Sequence, residues 1–372
     1  MAHAYTPGLR VTERAHLRRE RRLPMAGTVR VEHGQRVRAE DAVASTDLPG
    51  DVQTVNVVRL LGIDPQDLER YMRKREGDPV QADEVIAESR GLLGLFGSQA
   101  RSPVQGTIEN ISTITGQVLI RQPPTPVEVH AYVDGVVREV LPQEGAVVEC
   151  SGALVQGILG LGGETMGELA TRVSGPDEPL TADALDGSCR GKVVIGGSAA
   201  DLATLHRAQE VRAAAIVVGG IEDEAFEAFL GRPLGVAITG HEDLGLTLIL
   251  TEGFGRIAMA DRTFGILRDR EGRRASANGT TQIRAGVIRP EVIVVEAVEE
   301  AVREEPPPTG LEVGALVRVI RAPYFGRLAT VTALPEALQE LETEAKVRVL
   351  QAKLDRGENV TLPRANVELI QL

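Results

Sequence analysis

Glycine and valine recur in a fixed pattern over the first half of the chain, from residue 23 to about residue 163. A Gly-x-Val strand is followed by a turn, then by Gly-x-x-Val and another short strand. The pattern occurs at Gly27-Thr-Val29 with Gly34-Gln-Arg-Val37, at Gly77-Asp-Pro-Val80, at Gly106-Thr-Ile108 with Gly116-Gln-Val118, and at Gly135-Val-Val137 with Gly145-Ala-Val147. Short strands punctuated by glycine at tight turns are typical of small β sandwiches or barrels. Residues 23–172 are therefore predicted to form β-rich modules.

One segment of these modules, Arg101-Ser-Pro-Val-Gln-Gly-Thr-Ile-Glu-Asn, makes the comparison more specific. Together with the glycine phrases it resembles the barrel-sandwich hybrid fold of biotinyl and lipoyl domains. In that family a lysine at a hairpin tip carries the cofactor. The tip-like segments Ser45-Thr-Asp-Leu-Pro-Gly50 and Gly91-Leu-Leu-Gly-Leu-Phe-Gly97 contain no lysine. The resemblance thus implies the fold without the carrier function, and we expect no cofactor.

A helix is predicted near residues 65–76. Asp64 can cap it, Pro65 suits its first turn, and Gly77 ends it. Its basic side chains form a solvated face or contact phosphate or an acidic protein, and the sequence leaves both open. They are Arg70, Arg73, Lys74 and Arg75.

The second tip-like segment is strongly apolar. Its large side chains are Leu92, Leu93, Leu95 and Phe96. On a projecting tip they would form the kind of patch that marks self-association or partner docking. Folded onto a neighbouring module, they would instead extend its core.

Residues 176–294 have a different pattern, which predicts an α/β domain. Apolar runs at 192–195, 214–218, 235–238 and 246–250 lack polar alternation. Predicted helices at 201–212 and 222–230 separate them. Strands of this kind form a parallel sheet that is covered on both faces.

Small and polar residues collect where these strands end, which is where open α/β sheets place ligands. A ligand site there would use Ser198, Gly219, Gly220, Thr239, Thr251 and Glu252. The same glycines also serve simply to turn the chain from strand to helix. The sequence does not decide between the two roles.

No catalytic motif is present, since the chain has no phosphate loop, nucleophile elbow, His-Glu-x-x-His or Cys-x-x-Cys. Three weaker constellations remain. In Asn278-Gly-Thr-Thr-Gln-Ile-Arg284, a turn and a polar strand, Gln282 and Arg284 face a ligand or subunit or simply alternate in an edge strand. Gly157-Ile-Leu-Gly-Leu-Gly-Gly163, followed by a predicted helix from Glu164, can present N–H groups to an anion. His241-Glu-Asp243 supplies possible metal ligands without a companion cluster. The sequence therefore favours a noncatalytic protein and indicates no metal.

The acidic and proline-rich stretch 295–309 is a predicted linker, and residues 310–372 beyond it predict a separate small barrel. Strands are expected at 313–320, 328–331, 346–350, 358–362 and 366–370. The spacing Gly314-x-x-Val317-x-Val319, then Pro323-Tyr-Phe-Gly326, resembles the KOW motif of transcription elongation factors and ribosomal proteins. That resemblance implies an SH3-like barrel that binds RNA or proteins of the gene-expression machinery.

Charge favours a protein as the partner of this barrel. Residues 310–372 contain eight basic and eight acidic residues, whereas affinity for nucleic acid depends on neutralising phosphates. RNA remains an alternative, because a local patch suits stacking and phosphate contact. The patch consists of Arg318, Arg321, Tyr324, Phe325 and Arg327.

The whole chain of 372 residues carries a net charge of −12, which argues against broad binding to nucleic acid. Residues 1–22 form a basic arm without the apolar core of a signal peptide, and no run is long enough to span a membrane. We therefore expect a cytoplasmic protein. The two cysteines, Cys150 and Cys189, are expected to be buried free thiols.

The sequence thus predicts a mixed multidomain protein: β modules, an α/β domain and an SH3-like barrel. The favoured function is a noncatalytic scaffold or assembly protein that acts through self-association or protein partners. The first alternative is an accessory factor of transcription or translation that binds RNA or its protein machinery through the KOW-like domain. The second is a small-ligand-binding or enzymatic α/β domain.

Overall fold

The computed structural model describes residues 9–89, 97–231, 244–281, 288–297, 311–319, 324, 327–335, 339–340, 346–354 and 357–369. The chain is rich in β structure, arranged as one large mixed sheet and several small antiparallel sheets. This confirms the predicted β-rich, mixed character of the fold.

The elements up to residue 171 are almost all strands. The first group is β1 (Val11–Arg22), β2 (Thr28–Val29), β3 (Arg36–Val37) and β4 (Ala42–Leu48). The second is β5 (Val52–Asn56), α1 (Val57–Leu61), α2 (Leu68–Tyr71), β6 (Pro79–Val80), β7 (Val85–Glu88), β8 (Gln99–Arg101), β9 (Gly106–Ile111) and β10 (Gln117–Arg121). The third is β11 (Thr125–His130), β12 (Gly135–Leu141), β13 (Gly145–Gln156), β14 (Leu159–Leu161) and β15 (Glu164–Thr171).

The remaining elements alternate helix and strand before returning to strands alone. They are β16 (Val193–Ile195), α3 (Leu202–Glu210), β17 (Ala215–Ile221), α4 (Asp223–Leu230), β18 (Thr247–Phe254), α5 (Asp261–Arg268), β19 (Arg274–Asn278) and β20 (Glu291–Ala297). The last group is β21 (Leu316–Val319), β22 (Leu328–Ala333), β23 (Gln339–Glu340), β24 (Lys346–Val347), β25 (Val349–Leu354), β26 (Asn359–Pro363) and β27 (Val367–Leu369).

The large sheet has the order β14-β18-β17-β16-β15-β19-β20-β13-β12-β3, and β1 also pairs with β13. Strands β15 to β18 are mutually parallel, and the central residues of β16, β17 and β18 are fully buried, as the apolar runs predict. The first parallel strand, β15, lies before residue 176, where the sequence places the start of the α/β domain. Burial in β15 is confined to its end, so it lacks the apolar run that marks its neighbours.

The basic segment at the N-terminus is a strand over residues 11–22, not an arm that leaves the fold. Val11, Ala15 and Leu17 are buried along it, and it pairs antiparallel with nearly all of β13. Its arginines contact carboxylates elsewhere in the chain: Arg18 with Glu139, Arg19 with Glu291, Arg21 with Glu164 and Arg22 with Glu144. The acidic partner of this segment therefore lies within the protein.

Strands β5 to β10 form a module that is inserted between β4 and β11, which pair with each other. We call residues 52–121 the inserted module, and β2 to β4 with β11 to β13 the first module. The inserted module has its own core, in which Leu68, Ile86, Ile108, Val118 and Ile120 are fully buried. The buried residues of this core all lie between Val55 and Ile120, within the inserted module.

A two-stranded ribbon joins the two modules without a change of register. Leu48 opposes Thr125 at the end of the first module, and Val52 opposes Arg121 at the start of the inserted one. Between them Gln122 N donates to Asp51 O at 2.9 Å. The inserted module is thus joined to the first module by two pairs of strands in one register, with residues 49–51 and 122–124 between them outside the strands.

The two modules are copies of one arrangement, because their pairings correspond residue by residue. Each has a Gly-x-x-Val turn in which the glycine N–H bonds a valine or isoleucine carbonyl, Gly34 to Val137 O at 2.7 Å and Gly77 to Ile108 O at 2.8 Å. The equivalent strand pairs are Val37↔Gly135 with Val80↔Gly106, Arg36↔Val136 with Pro79↔Thr107, and Ala44↔Val129 with Ala87↔Ala100. A register shift adjoins the last pair at the same place in both copies. One copy is therefore inserted into the hairpin of the other.

The helix predicted near residues 65–76 is shorter than expected. A 3-10 turn at Pro65–Asp67 leads into α2, which ends at Tyr71, and Met72 is already extended. The Asp64 side chain makes no capping hydrogen bond. Met72 instead pairs with Ala87 of β7, so tertiary pairing ends the helix before most of its basic residues. Three of these pair with acids of the same module: Arg70 with Asp67, Arg73 with Glu88 and Lys74 with Glu84.

Removing residues 49–124 and joining Leu48 to Thr125 through Asn-Gly is expected to leave a folded protein. The two residues oppose each other, and a two-residue turn closes such a pair. The measurement is denaturant unfolding of the shortened chain followed by circular dichroism, which should keep a cooperative transition. As a control, deletion of residues 135–141 removes β12 from the first module and should abolish the cooperative unfolding transition. Loss of the transition in both chains would contradict the separateness of the modules.

The last strands form a five-stranded antiparallel sheet in the order β26-β25-β22-β21-β27. Strand β21 pairs with β22, β22 with β25 and β25 with β26, and the final strand returns to pair with β21. A 3-10 turn at Arg364–Asn366 precedes that return. The core of this sheet is its own, with Val317, Val331, Leu350 and Ala352 buried together. We call residues 311–369 the C-terminal unit.

Both cysteines are buried and unbridged, as the sequence predicts. In the part of the chain that the structure describes, no helix has the length and apolar character needed to cross a membrane.

Candidate functional site

The residues predicted at the strand ends come together at one edge of the parallel sheet. Ser198 follows β16, Gly219 and Gly220 lie in β17, and Thr251 and Glu252 lie in β18. Gly220 N donates to Ser198 O at 2.9 Å, which ties two of these ends to each other. Thr239 lies outside the described residues.

The two glycines are occupied by the chain itself. A Cβ at Gly219 would lie 2.1 Å from Ile257 O, and one at Gly220 would lie 2.2 Å from Gly255 O. No side chain fits at these distances, so the sequence needs glycine to let residues 255–257 cross the strand. This close approach accounts for both glycines without a ligand.

Glu252 is buried in an ion pair with Arg318 of the C-terminal unit. Both side chains are only 6% exposed. Arg318 Nη1 also donates to Thr251 O at 3.4 Å, and Glu252 Oε1 accepts a hydrogen bond from Ala260 N at 3.2 Å, where α5 begins. Since the pair is desolvated, removing one partner would cost about 3–5 kcal/mol through the charge that is left. The contact thus joins the predicted ligand site to the predicted partner-binding patch.

Apolar and polar side chains lie beside this ion pair, and the polar ones include Gln156 and Arg262. Leu316 and Leu328 of the C-terminal unit and Leu9 and Val11 near the N-terminus line a cavity of about 60 Å³ beside it. Pockets for cofactors or metabolites usually measure about 300–1,000 Å³. This cavity is therefore the rim of an interface between parts of the chain, with room for little more than water.

Ser198 has a hydroxyl group that the surrounding packing leaves unused. The residue is 2% exposed, and its Oγ has no hydrogen-bond partner among the described residues. Its backbone is fully engaged, since Ser198 N donates to Glu178 O at 3.0 Å and its carbonyl accepts from Gly220. The orphaned hydroxyl is the one polar group of the predicted set, within the described ranges, that the observed contacts do not explain.

The described residues of the KOW-like patch all have contacts within the chain. Arg318 is buried against Glu252, Tyr324 packs on the core of the C-terminal unit, and Arg327 pairs with Glu358 at 3.2 Å. Arg321 and Phe325 lie outside the described residues. So do the apolar tip residues Leu92, Leu93, Leu95 and Phe96, the segment with His241 to Asp243, and Gln282 with Arg284.

The glycine-rich segment 157–163 is not an anion-binding loop before a helix, because Glu164 begins the strand β15. Gly160 N donates to Thr281 Oγ1 at 2.8 Å, and a Cβ at Gly160 would meet Gly279 O at 2.5 Å. Its N–H group and its lack of a side chain both serve packing. Among the described residues, no group of three or more His, Cys, Asp or Glu side chains is placed to hold a metal ion.

Comparison with known proteins adds no family to this geometry. The chain matches no protein-family description, and its comparison with characterised proteins gives no significant match.

A second polar cluster, which is partly buried, lies around β1, and the motifs in the sequence do not predict it. Arg19 makes two hydrogen bonds to the Glu291 carboxylate, at 3.0 and 2.7 Å, and Arg21 makes two to Glu164, both at 2.6 Å. The Arg21 guanidinium lies 5.3 Å from the centre of the Tyr132 ring. The signal that could have found the cluster is the alternation in β1, which puts Arg19 and Arg21 on the same face as Ala15 and Leu17.

Burial sets the protonation of this cluster. It raises the pKa of Tyr132 well above its usual value and that of Cys150 to about 12. Burial alone would lower the pKa of Arg19, but the charge and hydrogen bonds of Glu291 raise it overall. Tyr132 and Cys150 therefore remain neutral while Arg19 remains charged. A neutral thiol is a poor nucleophile, so this cluster supports structure more than covalent chemistry.

Proposed function

We infer that the protein is a noncatalytic scaffold or assembly protein whose C-terminal unit acts as a protein-contact module. The observation that carries this inference is the buried Arg318–Glu252 pair. It uses the acid of the strand-end site and the first arginine of the KOW-like patch for one contact between two folded parts of the chain.

The strand order of the C-terminal unit supports an SH3-like barrel. Its meander closes through pairing of the last strand with the first after a 3-10 turn. Barrels of this kind recognise proteins or nucleic acid through the surface of the sheet and its loops. Here that surface already contacts protein, and Arg318 is too deeply buried for phosphate contact.

The two nested modules support a scaffolding role as well. Their shared pairing agrees with the resemblance to barrel-sandwich hybrids, whose carrier lysine is missing. Lys74, the lysine of the inserted module, donates to Pro79 O at 3.0 Å and pairs with Glu84 at 2.6 Å. We infer that these modules set distances and surfaces instead of carrying a cofactor.

Light scattering coupled to size-exclusion chromatography tests this function over a wide range of protein concentration. The expected result is a mass that rises above that of one chain. The mass of a single chain at every concentration contradicts self-association. An RNA mobility shift at low salt that disappears at high salt would favour the RNA-binding alternative over a protein-contact module.

A further inference from the structure

The interface between the C-terminal unit and the large sheet has the features of a contact that two chains can exchange. The unit has its own core, which includes Val317, Leu350 and Leu362. It meets the sheet through Arg318, Leu316 and Leu328. A unit that has its own core and docks on the rest of its chain is suited to domain swapping.

The connection is long enough for exchange. The predicted linker, residues 295–309, begins inside β20 (Glu291–Ala297), so the connection to the C-terminal unit is residues 298–310, which include three consecutive prolines at 306–308. A fully extended chain reaches about 3.3–3.6 Å per residue, so this connection can span at most roughly 45 Å.

The charges specify which surface the unit recognises. Arg318 and Glu252 are each only 6% exposed, and the cavity beside them is lined by Leu316 and Leu328 together with polar side chains that include Arg262. A buried arginine needs a carboxylate in this position, and the same carboxylate is present on every copy of the chain. The surface complementary to the C-terminal unit is therefore the edge of the sheet around Glu252, which we call the Glu252 edge, in its own chain or in another.

We propose that the C-terminal unit of one copy docks on the Glu252 edge of a second copy, forming an exchanged dimer through the Arg318–Glu252 contact. This proposal rests on the self-association inferred above and assigns it to one surface. At low concentration the contact closes within the chain, and at high concentration it forms between chains.

Two charge-reversed variants test the exchange directly. Glu252→Arg and Arg318→Glu each place like charges at the intrachain contact, so neither variant should close it or pair with itself. In a mixture, the native Arg318 of the first variant meets the native Glu252 of the second, and the two introduced side chains meet each other. The expected result is a one-to-one dimer by light scattering in the mixture and in neither variant alone. A mixture that has only the mass of its separate components overturns the proposal.

A second experiment uses chains in which the pair is intact. The double variant E252R/R318E restores the pair with reversed polarity, and circular dichroism checks that it folds. Tagged wild-type protein is co-expressed either with an untagged wild-type chain or with an untagged double variant. On purification through the tag, it should retain the untagged wild-type chain and at least tenfold less of the double variant. If the tagged protein retains the wild-type chain and the double variant equally, self-association uses another surface. That result overturns the exchange but does not contradict the scaffold function. Retention of neither chain, with the mass of one chain at every concentration, contradicts both the exchange and self-association.

Discussion

Replacement of Glu291 by alanine is expected to lower the free energy of unfolding by about 3–5 kcal/mol. Glu291 is 9% exposed and accepts both hydrogen bonds from Arg19, whose side chain is 21% exposed. Without the carboxylate, a charged guanidinium remains next to Tyr132 and Cys150 with nothing to balance it. Denaturant unfolding followed by circular dichroism measures the loss.

The matched control is Glu139→Ala. Glu139 pairs with Arg18 at 2.6 Å, but the two side chains are 51% and 59% exposed. Exposed pairs contribute about 0–1 kcal/mol, so this variant should unfold almost like the wild type. If the two variants lose the same free energy of unfolding, burial of the Arg19–Glu291 pair does not increase its contribution to stability.

The double variant Arg19→Met/Glu291→Met separates the charge from the packing. It removes both ions and keeps apolar volume in their place, so it should lose less stability than Glu291→Ala. If the double variant is less stable than Glu291→Ala, the hydrogen-bonded Arg19–Glu291 pair itself stabilises the fold. The stability lost in Glu291→Ala would then not come from leaving Arg19 charged and unpaired.

Replacement of Gly145 by alanine should reduce stability by roughly 3–5 kcal/mol and open the end of β1. Gly145 opposes Arg22 in the β1–β13 pairing and has a φ of 152°. A Cβ there would lie 1.8 Å from Arg21 O, and that oxygen belongs to the backbone, which cannot rotate away. Hydrogen exchange should show faster exchange in residues 18–22 of the variant.

Gly163→Ala is the comparison for that variant. Nothing lies within 4 Å of a Cβ at Gly163, and this glycine does not have a positive φ. Alanine there should change stability by less than about 1 kcal/mol. A similar loss at both sites would mean that the approach of β1 to β13 does not require glycine.

Local patterns predicted most of the strands but few of their partners. The buried runs of β16, β17 and β18 and the strands of the C-terminal unit were predictable because uninterrupted or alternating apolar residues determine them. By contrast, α2 ends early because Met72 pairs with Ala87, and β15 has no apolar run over its first half. These depend on neighbours that are distant in sequence.

The candidate site shows the same division. Sequence patterns identified Glu252 at a strand end and Arg318 in a KOW-like strand as separate features. No local sequence pattern predicts that these two residues, separated by residues 253–317, pair with each other. The pairing assigns both to a contact within the chain instead of to a ligand site and a partner-binding patch. The nested copies were only partly visible, since the glycine phrases repeat but the hairpin that holds the inserted copy has no pattern of its own.

The nesting of the two modules has a consequence for the order in which the chain folds. During synthesis, β4 emerges before residues 49–124 and its partner β11 after them, so the first module cannot close until the whole inserted module has been made. By then the inserted module can already have paired β5 with β10, which brings residues 52 and 121 together. Closing the first module then requires only a short ribbon to zip in register, and the entropy of a long loop has been removed in advance. Folding of the inserted module thus brings together the two halves of the first module, which surrounds it in sequence.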